Sequence, residues 1–299
     1  MIILIEDITA VLVYGSIQGC IYALLALGFS LVYGVGGVLN QAHGALYLVT
    51  AYLYYTFYTI FHEISAELDF VGMMIGMIVG LIAVAFVAAF IYLALIKPLK
   101  QSHVGVVIVT FAFAFFMEQL INVIFGVEYQ SVPFLIDGYF YIFSIPVYYH
   151  YVLIIIATVI IVILTMLFIN RTKLGKSIRA VAQDEEAASL MGINVDRILT
   201  YTLVISGVLA GVAAILYVPI DVITPHAGWA ILLNSFAIVV LGGLGSLSGS
   251  VVGAFIYAYA ITFTNIFIDP ILSAIIPFIV IIVMLIVRPR GIFGKKEIK

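Results

Sequence analysis

Charge is what this sequence has least of. Only 9% of its 299 residues are Asp, Glu, Lys or Arg and 65% are hydrophobic, whereas a soluble domain carries about 25% charged and about 45–50% apolar residues. A water-soluble globule is therefore excluded. Cysteine is nearly absent as well: Cys20 stands alone inside an apolar run, so neither a disulfide framework nor a Cys/His metal cluster is available. HExxH and GxSxG are missing, and no pair of aspartates falls inside an apolar run. An intramembrane enzyme has nothing to work with, and no cofactor site is evident. The segment Leu174-Gly175-Lys176-Ser177 lacks the earlier glycine of a phosphate loop, because Asn170 stands there at the end of an apolar run.

What the chain has is long, continuous apolar runs of the roughly 20 residues that cross a bilayer as helix, without the roughly 10-residue alternation of a membrane barrel. The fold class is an all-α polytopic membrane protein of about 8–9 transmembrane helices, some interrupted at Gly-rich breaks. Lys and Arg occur in three places: Lys97 and Lys100, the stretch 171–197, and Arg288 to the C-terminus. The positive-inside rule puts all three in the cytoplasm. With no early basic residue, the first run is expected to be a permanent span rather than a cleaved signal. Runs at 8–32, 38–61, 71–96, 104–125, 149–169 and 198–218 then place the N-terminus outside and the C-terminus in the cytoplasm. The loop 126–148, aromatic-rich and carrying Pro133 and Pro146, is external.

Two glycine-rich stretches break the apolar pattern. The first, GVGGVLNQAHG, contains Asn40, Gln41, His43 and Gly44; the second, GGLGSLSG, contains Gly242, Gly243, Gly245 and Ser246. Such breaks leave backbone polar groups unpaired in lipid unless they line a cavity or pack in protein. They read equally as the border of a translocation route or as tight cytoplasmic turns. Glycines four apart recur at Gly15/Gly19, Gly72/Gly76/Gly80, Gly207/Gly211 and Gly249/Gly253, a pattern that lets helix backbones approach closely. Glu118 is the one acid well inside a span.

The longest polar stretch, 171–197, offers the only folded surface to a soluble partner. Asp184, Glu185 and Glu186 suit the positive end of a helix and Gly192 a left-handed cap, so a two-turn helix is expected over 184–191 on the cytoplasmic face.

Glu186-Ala187-Ala188, three residues and then Gly192 resemble the EAA-xxx-G loop of ABC importer permeases. VYGVGGVLNQAHG (32–44), GKSIRAVAQDEEAASLMGIN (175–194), VVLGGLGSLSG (239–249) and RPRGIFG (288–294) resemble, in order and spacing, the permeases of branched-chain amino-acid ABC importers, the shorter of their two types. Gln41 and Ala45 depart from the aromatic and acidic residues of that family's N-x-A-H-G stretch. The resemblance implies one permease domain spanning 1–299 in a prokaryotic plasma membrane, with a cytoplasmic coupling loop at 171–197. It implies Asp184, Glu185, Glu186, Ala187, Ala188 and Gly192 as the ATPase-coupling residues, the acidic side facing the ATPase. It also implies partners: ATPase subunits that bind the ATP, a second homologous permease, and an extracytoplasmic binding protein that delivers branched-chain amino acids. Relatives for urea, other amides or other amino acids share the signatures. An ion-coupled secondary amino-acid transporter is the competing class, and a purely structural membrane subunit a third.

Overall fold

The computed structural model describes residues 2–37 and 39–294. Val38, at the start of the run expected over 38–61, and the end of the basic tail, 295–299, lie outside the described residues. The chain is helical almost throughout, in the order α1 (Ile2–Gly36), α2 (His43–Ile64), α3 (Asp69–Phe90), α4 (His103–Phe125), α5 (Tyr149–Arg171), α6 (Lys173–Gln183), α7 (Glu185–Leu190), α8 (Val195–Tyr217), α9 (Ala227–Gly242), α10 (Leu247–Phe267), α11 (Pro270–Ser273) and α12 (Ile276–Val287). Among the described residues, six stretches are long and apolar enough to cross a membrane, and α9 and α12 are shorter apolar helices. The tyrosine-rich α2 has 22 residues, about 33 Å at 1.5 Å per residue. The protein is thus a helical, multi-pass membrane protein.

Two features depart from the sequence expectation. The loop 126–148 contains a small antiparallel hairpin, β1 (Tyr139–Ile142) paired with β2 (Ile145–Tyr148). Its two-residue turn, Phe143 and Ser144, has both φ positive, the conformation that matches strand twist in tight hairpins. The stretch 171–197 holds a second helix, α6, before the one expected. Thr172 Oγ1 accepts from Gly175 N at 2.9 Å to start it, and Gly175, Ile178 and Val181 form its buried side. Gly175-Lys176-Ser177 is therefore helical, not a phosphate loop.

The chain falls into two compact units of interleaved segments. One comprises the chain up to Ser30, Ile136–Thr165 and the chain from Leu233; the other comprises Leu31–Leu135 and Met166–Leu232.

In the second unit, α2, α3 and α8 pack through the glycine stripes. A Cβ on Gly76 would lie 3.0 Å from the Tyr54 carbonyl oxygen and one on Gly72 2.7 Å from Phe61 Cβ, so α3 lies directly on α2. Gly207 and Gly211 of α8 meet Ala88 and Val84 of α3 and Thr50 of α2 in the same way. Helices that cannot gain hydrophobic energy from one another in lipid associate by such close packing. α3 continues as a π-helical turn, Ile91–Ile96, and a 3₁₀ turn, Lys97–Leu99.

In the first unit, Gly15 and Gly19 of α1 receive the rings of Tyr259 and Phe255 from α10, and Ser16 Oγ and Tyr259 Oη are 2.8 Å apart. Asn234 ties α9 into this packing, donating to Tyr22 Oη at 3.1 Å and accepting from Tyr257 Oη at 2.7 Å.

The second glycine-rich break also lies here. Gly242 and Gly249 cross so closely that a Cβ on Gly242 would stand 2.3 Å from the Gly249 oxygen. Gly243 and Gly245 turn the chain with positive φ, and Ser246 Oγ accepts from Gly249 N at 3.2 Å as the N-cap of α10. The orphan carbonyls at the end of α9 are met from afar: Ile292 N donates to Leu241 O at 2.9 Å and Phe293 N to Gly242 O at 3.0 Å. The terminal RPRGIFG segment is thus the C-terminal cap of α9.

Candidate translocation site and coupling segment

The first break connects α1 to α2 inside the second unit. Gly37 turns with φ +64, and Asn40 Oδ1 accepts from Ala42 N at 3.1 Å, an Asx-type turn. Gln41 N donates to Thr110 Oγ1 at 3.2 Å, seven residues or about 10 Å along α4 from its start. Asn40 is 4% exposed, and its Nδ2 has no hydrogen-bond partner among the described residues.

Asn40 lines a cavity of about 480 Å³, within the size range of small-molecule sites. Val32, Val106, Leu199 and Leu203 give it apolar walls; Lys100, Asp184, Glu185 and Glu186 give it a polar one. The break and the acidic end of the polar stretch therefore share one chamber.

The acidic part of that wall is built by α7 and its N-cap. Asp184 is the N-cap, with Oδ1 accepting from Ala187 N at 2.9 Å. At the other end Gly192 takes φ +83, Gly192 N donates to Ser189 O at 2.9 Å and Ile193 N to Ala188 O at 3.1 Å. This double closure satisfies the last carbonyls and needs a residue at ease with positive φ. Ala188 is buried, whereas Leu190 and Met191 are 89% and 83% exposed. The exposed surface of α7 and its C-cap thus runs from the acids Glu185 and Glu186 to an apolar end at Ala187, Leu190 and Met191, of which the sequence singled out only Ala187.

The acidic side is partly used within the chain. Glu185 accepts from Lys100 Nζ at 3.0 Å. Lys100 also lies 3.6 Å from Asp196, which pairs with Lys97 at 3.0 Å and accepts from Tyr92 Oη at 3.0 Å. Asp196 sits in the first turn of α8, where the helix dipole favours an acid. The Glu185 hydrogen bond holds the Lys100 ammonium above its ordinary pKa, assisted by Asp196. The clamp joins α7, the start of α8 and the irregular end of α3.

Farther along α4, Val106, Thr110, Ala114 and Glu118 are buried one turn apart on one face. Glu118 Oε1 accepts from His226 Nδ1 at 2.5 Å, and Oε2 accepts from Trp229 Nε1. Trp229 also lies against Phe111, with ring centroids 5.1 Å apart. Gln41, Gly44, Glu118, Gly228 and Trp229 border a space of only about 10 Å³. Gly44 is there for packing: its Cβ would fall 2.0 Å from the Gly228 oxygen.

Of the residues singled out as route candidates, Asn40 lines the chamber and Gln41 and Gly44 border the closed space. His43 is buried beside Ser206, Nδ1 to Oγ 3.4 Å, between α2 and α8. Gly242, Gly243, Gly245 and Ser246 belong to the other unit, where the turn and crossing described above employ them. Lys97, Lys100, Tyr92, Asp196, His226 and Trp229 were not singled out. The only sequence signals were the isolated basic pair, the lone acid Glu118 and the single tryptophan.

A multi-pass helical protein with a partly polar chamber and a capped helix at its polar rim has the architecture expected of a membrane permease. Residues 11–285 match the family described as branched-chain amino acid transport system / permease component, and the chain belongs to that family; it is a transport component, not an enzyme. It is 28% identical over 296 residues to the high-affinity branched-chain amino acid transport system permease protein BraD of Pseudomonas aeruginosa, covering 96% of each chain. With LivH of Escherichia coli, a permease protein of the same description, it shares 26% over 292 residues, 95% of each. Its fold resembles the solved structure of PsaBC from Streptococcus pneumoniae in complex with Fab, at a TM-score of 0.53 and 14% identity over 97% of this chain and 98% of that one.

Proposed function

We propose that this chain is the membrane-spanning subunit of an ATP-driven importer and that it carries branched-chain amino acids handed over by an extracytoplasmic binding protein. ATP is bound by separate ATPase subunits that dock on α7, and a second homologous permease completes the route. The observation that carries this reading is the placement of α7: its apolar end is exposed while its acidic start is clamped to the wall of the chamber. A push on Leu190 and Met191 is transmitted through Glu185 and Lys100 to Asp196, and so to the π-helical end of α3, a segment type frequent at functional sites.

The chain crosses the membrane nine times in this reading: the six long apolar helices, α2, α9 and α12. The N-terminus is outside and the C-terminus cytoplasmic, in the plasma membrane of a prokaryote. The ion pairs of Lys97 and Lys100 with Asp196 and Glu185 support one shared side for two of the three basic places. Residues 1–299 form a single permease domain; both units are assembled from interleaved segments, so neither is a stretch of chain that could be cut out alone.

Selectivity among branched-chain amino acids, amides and other amino acids rests largely with the binding protein. The full-length likeness to two permeases named for branched-chain amino acids favours that substrate. Purification of the tagged chain in mild detergent tests the assembly. It should bring with it a P-loop ATPase and a second permease, the ATPase being lost with Glu186→Lys; recovery of the chain alone would count against an importer.

A further inference from the structure

Glu118 is hard to explain as packing alone. It lies on a helix apolar enough to span a membrane, where a carboxylate is costly and a neutral acceptor would tie two helices together more cheaply. It is 5% exposed, yet His226, which covers it, has a side chain 65% exposed. Both of its partners come from one short stretch, His226 in the α8–α9 loop and Trp229 in the first turn of α9. The buried face of α4 leads from the chamber at Val106, past Thr110 and its bond from Gln41, to Ala114 and Glu118. At Glu118 that line ends in a space of about 10 Å³, at the lower limit for one water molecule.

We infer that Glu118 is the binding group for the substrate's ammonium, and that His226 and Trp229 form a latch that occupies its carboxylate until substrate arrives. This rests on the reading of the chain as an amino-acid permease. The carboxylate keeps its two hydrogen bonds, and the released His226 side chain, 65% exposed, turns to water. His226 Nδ1–H and Trp229 Nε1–H leave the two oxygens, and two of the three ammonium N–H donors replace them. The incoming donors carry a full positive charge, so the exchange replaces two uncharged donors on the carboxylate with an ion pair. Leu48, Ala114 and the Trp229 ring border the same closed space and supply an apolar lining for the side chain.

Trp229 is the only tryptophan in the chain, so the latch reports on itself by fluorescence. The full-length chain in detergent micelles should change its emission with leucine and with isopentylamine, which keeps the ammonium, but not with 4-methylpentanoate, which lacks it. Glu118→Gln should abolish the response. It should also lower leucine uptake in vesicles holding the whole importer by at least about 10-fold, the factor equivalent to 1.4 kcal/mol. His226→Ala should move the half-maximal leucine concentration for the emission change about 10-fold lower, and His226→Gln, which retains a donor, should move it less; a merely structural tie predicts no gain in sensitivity. An equal response to amine and acid, a response surviving Glu118→Gln, or uptake within about 2-fold of the parent in that variant would overturn the assignment. A parent chain that imports leucine with ATP but shows no ammonium-specific emission change refutes the latch alone. An emission change of the expected kind without ATP-driven uptake refutes the importer and leaves the site standing.

Discussion

Gly192 offers a way to separate the role of α7 in its own chain from the partner docking proposed for it. At φ +83, nothing lies within 4 Å of the position a Cβ would take, so any side chain has room and the penalty is backbone conformation alone. For an L-residue in this region that is about 1–2 kcal/mol, a factor of about 5–30 in the capped population. Gly192→Ala should incur that penalty, and Gly192→Asn less, because asparagine tolerates left-handed geometry. Gly192→Arg costs the permease no more than Gly192→Ala, yet it sets a long cation beside the exposed Leu190 and Met191. ATPase retained by each purified variant, with ATP-dependent leucine uptake alongside, is the assay. The order expected is parent, then Asn, then Ala, with Arg far below Ala. Equal loss in Ala and Arg would refute docking at this end of the helix and leave Gly192 only a cap.

Other perturbations address the packing and the clamp. Gly44→Ala drives a methyl into the Gly228 carbonyl and should sharply reduce the yield of folded protein by size-exclusion profile, whereas Gly228→Ala meets the flexible end of Leu48 at 2.8 Å and should be milder. Lys100→Ala frees Glu185 and should uncouple transport from ATP hydrolysis, seen as ATPase activity retained with uptake lost; the stability change should stay near the 0–1 kcal/mol of exposed pairs. Because the Lys100 pKa is raised, its stabilising contribution is complete below the ordinary lysine value of about 10.4 and fades only as pH rises through the higher folded value. Uptake should thus show no Lys100-dependent change between about pH 6 and 9. Asn234→Leu removes the bonds to Tyr22 and Tyr257 and should lower thermal stability in micelles by about 1–3 kcal/mol.

The helices were legible because hydrocarbon demands one repeated solution: long apolar runs with every backbone group paired internally. The caps of α7 were legible too, since Asp184 and Gly192 act within a few residues of one another. What the sequence hid is non-local. Lys100 and Glu185 are 85 positions apart, and Glu118 and His226 are 108 apart, so no spacing announces either pair. α6 was hidden because its polar side masks a buried stripe of three residues. The hairpin at Phe143 and Ser144 lacks the Asn-Gly or Asp-Gly signal of such turns. The glycines illustrate the same limit: nothing in a run such as GGLGSLSG announces that Gly242 meets Gly249, and only the crossing itself shows it.

The most direct test is uptake of labelled leucine into proteoliposomes containing this chain with the ATPase and second permease proposed for it, binding protein supplied outside and ATP inside. The account predicts accumulation that needs both ATP and binding protein and vanishes with Gly192→Arg. Accumulation that persists without ATP and collapses with an imposed ion gradient would contradict it.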